Sequence, residues 1–382
     1  MNIKADSTAI KILEILALVG EMSSDEICSF FNSESYIRKV LSTMHNDKIV
    51  KKSKNTEKIT YRLTATGKNK LRACLPDVYK ELLADRRSMN VVRDDKGYKD
   101  RRKKLLEILT MFHRADIKIF PDEKVLIKNY SVITRADTTD TTDTTDFVKN
   151  IQPEFYTSLE IKQQIPEFNI AKGSRALGIL ISYGKIYIIY STYEGELLWW
   201  KETERKFKTA ARLNLAKPLF GNDEVYMLVF ADKVSTAKTI VSRYGSERCG
   251  KIHTDNTIPN LFFSLKDTSK DATLRIITGK DYYIDKLEKI MGADLKYDKD
   301  FPCFAGKKDG GKPEYDFYAY MFDLHRVAQC IDYCKMVPKV NFCCFDYQKE
   351  YIERIIETDD VLKSRMETLI ITEEGGREIA HG

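Results

Sequence analysis

Apolar positions in the first eighty residues recur with a helical period, then a strand period, then a helical period again. In residues 8–19, Ile10, Ile12, Leu13, Ile15, Leu16 and Leu18 crowd a helix that Ser7 should cap and Gly20 should end. Residues 23–70 predict two short helices, a basic turn, and a strand that hands over to a third helix. The second of these helices should start at a cap from Asn32 or Ser33. It places Ile37, Leu41 and Met44 at i, i+4 and i+7, so one apolar stripe faces inward. Tyr36, Arg38, Lys39 and Ser42 are left on its outer face. The chain then turns into Ile49-Val50, crosses a polar run over residues 51–58, and returns as Ile59-Thr60-Tyr61-Arg62-Leu63, whose alternation suits a half-buried strand. A further helix runs through Leu71 and Cys74, breaks near Pro76 and resumes over Val78, Tyr79, Leu82 and Leu83.

Residues 85–100 are polar and rich in arginine, and read as a linker between a first domain, residues 1–84, and a larger α/β domain, residues 101–372. The larger domain opens on a basic helix, DRRKKLLEILTMFHRA, with Leu105, Ile108, Leu109 and Phe112 on one stripe. Strands are expected at residues 117–120 and 125–127, on either side of Pro121-Asp122-Glu123-Lys124. Residues 138–146 repeat the triplet TTD with nothing apolar to bury, which predicts a mobile surface loop over residues 137–147. A hairpin with its second strand at residues 185–190 comes next. After it the pattern alternates: helix 202–213, strand 225–231, helix 235–244, strands 261–265 and 272–277, helix 282–291. Residues 315–334 are aromatic and helical in part, residues 340–345 a buried strand, residues 348–356 a helix, and residues 373–382 a tail expected to fray. The fold class expected is α/β, α+β overall, with a mixed sheet in the larger domain.

Charge changes this picture at one end only. The net charge is +6 over 382 residues. The first 104 residues carry 23 lysines and arginines against 14 aspartates and glutamates, a surplus of nine, so the remainder is acidic by three. Such asymmetry points to a polyanionic partner at the N-terminal end. Arg101, Arg102, Lys103 and Lys104 add to it. They sit at the start of their helix, where positive charge opposes the dipole, and either meet an anion or pair with local acids such as Asp94, Asp95 and Asp100. A hydrophobic share of 43% with 31% charged residues fits globular domains. No apolar run approaches the roughly 20 residues a membrane helix needs, and no signal-peptide core opens the chain, so a cytoplasmic, non-membrane protein is expected.

The eight cysteines read as buried thiols. Cys330 and Cys334 share a helical face with His325 nearby, but Cys343 and Cys344 are adjacent and would point to opposite faces of a strand, so no zinc knuckle forms. Gly-Lys pairs at Gly184, Gly279, Gly306 and Gly311 never complete a phosphate loop. The five histidines are scattered, and no nucleophilic triad is readable. No metal and no cofactor is expected.

The order of residues 23–70, with the ending LSTMHNDKIVKK and the closing YRLTATGKNKL, resembles the winged helix-turn-helix DNA-binding domains. The resemblance covers about the first eighty residues. It implies that the second helix of the motif enters the major groove of double-stranded DNA while the wing meets the backbone or minor groove. Ser35, Tyr36, Arg38, Lys39 and Ser42 would then read bases, and Lys51, Lys52, Lys54 and Lys58 would lie on phosphates. A winged helix used only for protein contacts is the alternative. Further on, YTSLEIK and SRALGIL, following such a domain, resemble the replication-relaxation or mobilisation-associated proteins of plasmids and integrative elements of low-GC Gram-positive bacteria. That likeness covers residues 1–230 and implies a DNA-binding accessory protein, non-enzymatic, acting in replication, transfer or its regulation. A relaxase or replication protein would be its partner, and a homodimer would match a palindromic site.

Two other functions fit the residues. Asp122 of Pro121-Asp122, with Glu160 and Lys162 of Glu160-Ile161-Lys162, matches the outline of a Mg²⁺-dependent PD-(D/E)xK nuclease, provided Asp122 and Glu160 lie on neighbouring strands. Against this, Thr157 and Glu160 have the spacing of a capping box, which places Glu160 in the first turn of a helix. The remaining function is a transcriptional regulator whose larger domain senses a ligand.

Overall fold

Gly20 stops the first helix where the apolar pattern stops: it takes φ +93° and its N–H bonds to the Leu16 carbonyl. The helix, α1 (Thr8–Val19), begins after Ser7, but the Ser7 hydroxyl donates back to the Lys4 carbonyl and gives no side-chain cap. The computed structural model describes residues 4, 7–54, 58–83, 96–130, 152–171, 173–193, 202–220, 225–233, 235–236, 261–265, 296–297, 304–307, 313–318, 339–344, 346–357, 360–371 and 377–379, with single positions and short pieces between 274 and 336. The chain is mixed α/β and divides into two units, Met1–Ile188 with Thr203–Glu224, and Ile189–Glu202 with Val225–Gly382. The parting therefore does not fall at residues 85–100.

In the first unit α1 is followed by β1 (Glu21–Ser23), α2 (Ser24–Cys28), α3 (Glu34–Asn46), β2 (Val50–Lys54), β3 (Ile59–Leu63), α4 (Ala65–Cys74) and α5 (Pro76–Leu82). The three strands form one antiparallel sheet in the order β1-β3-β2. Ser23 and Glu26 close a capping box at α2. Ser33 marks the start of α3 without a side-chain cap, and Ile37, Val40, Leu41 and Met44 are its buried stripe. Lysines 51, 52 and 54 lie on β2 rather than in a loop, because the pairing with β3 runs from Val50–Leu63 out to Lys54–Ile59.

The corner between α3 and β2 is tight. Lys48 takes a left-handed φ of 55°, the Ile49 N–H bonds to the Met44 carbonyl, and Thr64 returns its hydroxyl to the Lys48 and Ile49 carbonyls at 2.6 and 2.9 Å. Thr64 also caps α4 through the Gly67 N–H. A methyl at Gly67 would stand 2.4 Å from the Ile49 carbonyl oxygen, so only glycine lets α4 approach this corner.

Helix α6 (Lys96–Arg114) takes in the last residues of the expected linker; residues 84–95 lie outside the described set. The strands expected at residues 117–120 and 125–127 do not form. One isolated bridge pairs Lys118 with Glu154, a 3₁₀ turn covers Pro121–Glu123, and helix begins again at Ile127. The polar run Asp122-Glu123-Lys124 favours this, since three consecutive charged residues suit a turn whose side chains seek ionic partners. Next come β4 (Glu154–Thr157), α7 (Ser158–Gln164), and the hairpin β5 (Gly178–Ser182) and β6 (Lys185–Thr192), turned at Tyr183 and Gly184 with φ of 41° and 81°. The sheet order β4-β5-β6 buries every residue of β4 and β5. Helix α8 (Glu202–Ala211) continues as a π turn, Arg212–Ala216, into α9 (Lys217–Phe220). The TTD loop lies outside the described residues.

The second unit holds β7 (Tyr226–Ala231) parallel to β8 (Leu261–Leu265), and a six-stranded sheet. The sheet comprises β9 (Lys296–Tyr297), β10 (Phe304–Lys307), β11 (Pro313–Tyr318), β12 (Val340–Cys344), β13 (Met366–Ile371) and β14 (Arg377–Ile379), in the order β14-β13-β12-β11-β10-β9. Pairing is parallel across β11-β12-β13 and antiparallel elsewhere. Helices α10 (Lys349–Ile356) and α11 (Asp360–Arg365) intervene before β13. Part of the tail expected to fray instead forms β14 on the edge of this sheet, its alternating Arg377-Glu378-Ile379 paired with Leu369–Ile371. Leu274, inside the strand expected at residues 272–277, is helical, as is Thr278 just beyond it, whose hydroxyl donates one turn back to the Leu274 carbonyl. Of the helix expected at residues 235–244 the described residues are 235–236, which are helical; the rest of it and the helix expected at residues 282–291 lie outside the described residues. Cys330, Cys334, Cys343 and Cys344 are buried free thiols, and burial pushes the Cys344 thiol pKa up to about 12.

The close approaches predict which glycines resist change. Gly178→Ala, whose methyl would meet the Tyr156 carbonyl oxygen at 2.1 Å, and Gly67→Ala should each destabilise by about 2 kcal/mol or more. Gly173→Ala, which meets nothing within 4 Å but sits at φ +86°, should cost about 1 kcal/mol. Urea unfolding midpoints compare the three.

Candidate functional site

Helix α3 turns 3.6 residues at a time, so with Ile37, Val40, Leu41 and Met44 inside, the stripe diametrically opposite is Ser35, Lys39, Ser42 and Asn46. All four are exposed. Tyr36 flanks this stripe on one side with 53% of its surface open, and Arg38 flanks it on the other. Lys51, Lys52, Lys54 and Lys58 are exposed on the hairpin. Lys52 pairs across the strands with Tyr61, and Tyr61 lies close enough to Arg38 to feel its charge, so Lys52, Lys54 and Tyr61 occupy the face of the sheet that looks toward α3.

Arg38 is exposed but already engaged by neighbours. Its guanidinium donates to Glu34 at 2.8 Å, to the Ser24 hydroxyl at 2.9 Å and to Asp25 at 2.6 Å, and these bonds hold α3 against the start of α2. Reaching a base would mean leaving two carboxylates. The basic cluster of α6 is likewise drawn inward. Arg101 donates to the carbonyls of Ser174 and Ala176 and to the Ser158 hydroxyl, pinning α6 to the start of α7 and to the segment that leads into β5. Arg102 pairs with Glu21 at 3.3 Å on β1. Lys103 is exposed and Lys104 half-buried. These arginines are better described as fasteners than as phosphate ligands.

The nuclease outline does not assemble. Asp122 sits on the 3₁₀ turn and Glu160 in the first turn of α7, so neither is on a strand. Thr157 and Glu160 close a capping box, with the Glu160 carboxylate accepting from the Thr157 N–H at 2.7 Å. The lysine that meets Glu160 is Lys124, at 2.8 Å, with both side chains 1% exposed. Lys124 also donates to the Phe155 carbonyl and lies 4.7 Å from the Tyr156 ring centroid. Lys162 is half-buried nearer Arg101, and its pKa is lowered by burial first and by that positive charge second. Asp122 is taken up by Lys11, at 2.5 Å, which also reaches Glu123 at 2.8 Å and Glu14 at 3.4 Å. An ammonium group thus occupies the middle of three carboxylates. Among the described residues no group of three or more His, Cys, Asp or Glu side chains is placed to hold a metal ion.

Sequence reasoning overlooked the buried polar groups. Glu154 accepts from the hydroxyls of Tyr130 and Tyr156 at 2.8 and 2.6 Å and pairs with Lys118. Burial and that carboxylate push both tyrosine pKa values above their ordinary range. Ser174 and the Arg175 N–H both bond Glu204. The signal available was a lone acid within an apolar run, as for Glu14 in TAIKILEILALV. The partners, 65 to 108 positions away, left no local trace. His113 wedges between Phe30 and Phe120 with its Nε2 3.1 Å from the Phe30 carbonyl, an ordinary packed histidine.

Removing one partner of the Lys124–Glu160 pair strands a charge inside the first unit. Lys124→Met and Glu160→Ala should each destabilise by about 3–5 kcal/mol, measured by chemical denaturation.

No helix among the described residues is long and apolar enough to cross a membrane. No family model, no curated protein and no solved structure matches the chain.

Proposed function

We propose that the first unit binds double-stranded DNA through a winged helix made of α1, α2, α3 and the β2–β3 hairpin. The supporting observation is the outward stripe of α3, small and polar except for Lys39, lying beside a hairpin whose exposed positions are lysines. A helix of this width fits the major groove, and side chains of Ser, Lys and Asn type form hydrogen bonds to base edges or phosphates. Ser35, Tyr36, Lys39 and Ser42 read sequence. Lys51, Lys52, Lys54 and Lys58 neutralise phosphates, and the electrostatic part of the affinity is theirs. Arg38 is a positioning residue that sets the angle between α2 and α3, while Asp25 and Glu34 oppose the DNA backbone. The resemblance to plasmid and integrative-element proteins supports a role as an accessory DNA-binding protein in replication or transfer. In that role the second unit recruits a relaxase or replication partner.

Selection of duplexes from a random pool, followed by fluorescence anisotropy across a salt series, tests this reading. Affinity should fall steeply with salt, and Lys52→Ala with Lys54→Ala should flatten the slope by about two counterions. Ser42→Ala should relax the preference at one base pair by about 1–3 kcal/mol. Asp25→Asn with Glu34→Gln should tighten binding by removing two like charges from the DNA backbone. Absence of any salt-dependent duplex binding would end the proposal.

A further inference from the structure

Glu14 lies at the centre of α1 and is 0% exposed. Its Oε1 accepts from the Tyr79 hydroxyl on α5 at 3.0 Å and from the Asp122 N–H on the 3₁₀ turn at 3.3 Å. Its Oε2 has no hydrogen-bond partner, and Lys11 stands 3.4 Å from it while serving Asp122 and Glu123 more closely. Three separate elements therefore meet at one carboxyl. The titratable and charged groups around it are Lys11 from α1 itself, Tyr79 from α5, Asp122 and Glu123 from the turn, and, beyond Tyr79, the Lys124–Glu160 pair.

We infer that Glu14 is a proton-operated interlock that fastens α1 to the 119–123 region when neutral and loosens it when ionised. With a proton taken from solvent, the carboxyl becomes a donor and can bond the neighbouring Asp122 carboxylate, which satisfies the orphan oxygen and removes a buried charge. Losing that proton sets two carboxylates against each other around a single lysine. Burial first, and the Asp122 charge second, lift the Glu14 pKa from an ordinary 4.5 to about 8, which puts the transition within reach of ordinary pH changes. The folded state then holds the proton more tightly than the unfolded chain. This group's contribution is fully present below about 4.5 and is lost as pH rises through about 8. The device does not depend on DNA binding.

The test is a carboxyl-labelled NMR titration of the full chain, together with thermal unfolding and hydrogen exchange of the α1 amides at pH 6 and pH 8.5. The Glu14 resonance should titrate near pH 8, and Asp122→Asn should move its midpoint down. The wild-type melting temperature should fall by roughly 5 °C between the two pH values and α1 protection should drop, after correction for intrinsic exchange rates. Glu14→Gln, neutral throughout, should show neither change. A Glu14 midpoint in the ordinary carboxylate range, an unmoved midpoint in Asp122→Asn, or parallel losses in wild type and Glu14→Gln would overturn the inference. The NMR titration decides the matter even if the glutamine variant does not fold.

Discussion

The first unit depends on burying α1 from every side. Ten of its twelve residues are inside, and it packs against β1, β3, α4 and α6. Apolar burial supplies the driving force, at about 25 cal/mol for each Å² removed from water. A helix enclosed in this way, however, must answer for every polar atom it carries, and α1 carries Lys11 and Glu14. The answer is long-range, ionic for Lys11, which pairs with Asp122 and Glu123, and hydrogen-bonded for Glu14, which accepts from Tyr79 and the Asp122 backbone. These contacts fix the motif to the later part of the unit. Arg101 and Arg102 repeat the strategy from α6, holding α7 and β1.

The parts legible in the sequence are those set by neighbours in the chain. The α3 stripe, the β2–β3 pairing, the break at Pro76, the Thr157–Glu160 capping box and the hairpin whose second strand begins at Lys185 all rest on spacing and local backbone demands, and all are present. Misread were the segments whose structure is decided by a distant partner. The stretch 117–127 has strand-like composition but bends into a 3₁₀ turn that offers its acids to Lys11. Residues 377–379 look like a frayed end, yet they find an open sheet edge at β13. The roles of Arg38, Arg101 and Arg102 were hidden for the same reason: charge is visible in a sequence, but the carboxylates and carbonyls that absorb it are not.

This redistribution of charge sharpens the functional proposal. Part of the basic surplus of the N-terminal residues is taken up inside the fold by Arg101 and Arg102, and on the face of α3 and the hairpin the exposed cations besides the engaged Arg38 are Lys39 and the lysines of the hairpin, with Lys48 at the corner between them. Under the proposal that face makes about four phosphate contacts through the hairpin lysines, which sets the salt dependence of binding. Under the proposal, discrimination comes from the small polar stripe and from Tyr36, while Asp25 and Glu34 act as a local charge barrier around Arg38.

Backbone resonance mapping of the full chain by NMR against a 20-bp duplex tests the central claim most directly. The account predicts shifts at Ser35, Tyr36, Lys39, Ser42 and Asn46 and along the exposed lysines of β2. The α6 residues Arg101 and Arg102 should stay unmoved. Shifts confined to the second unit, or a spectrum unchanged at low salt and saturating duplex, would contradict it.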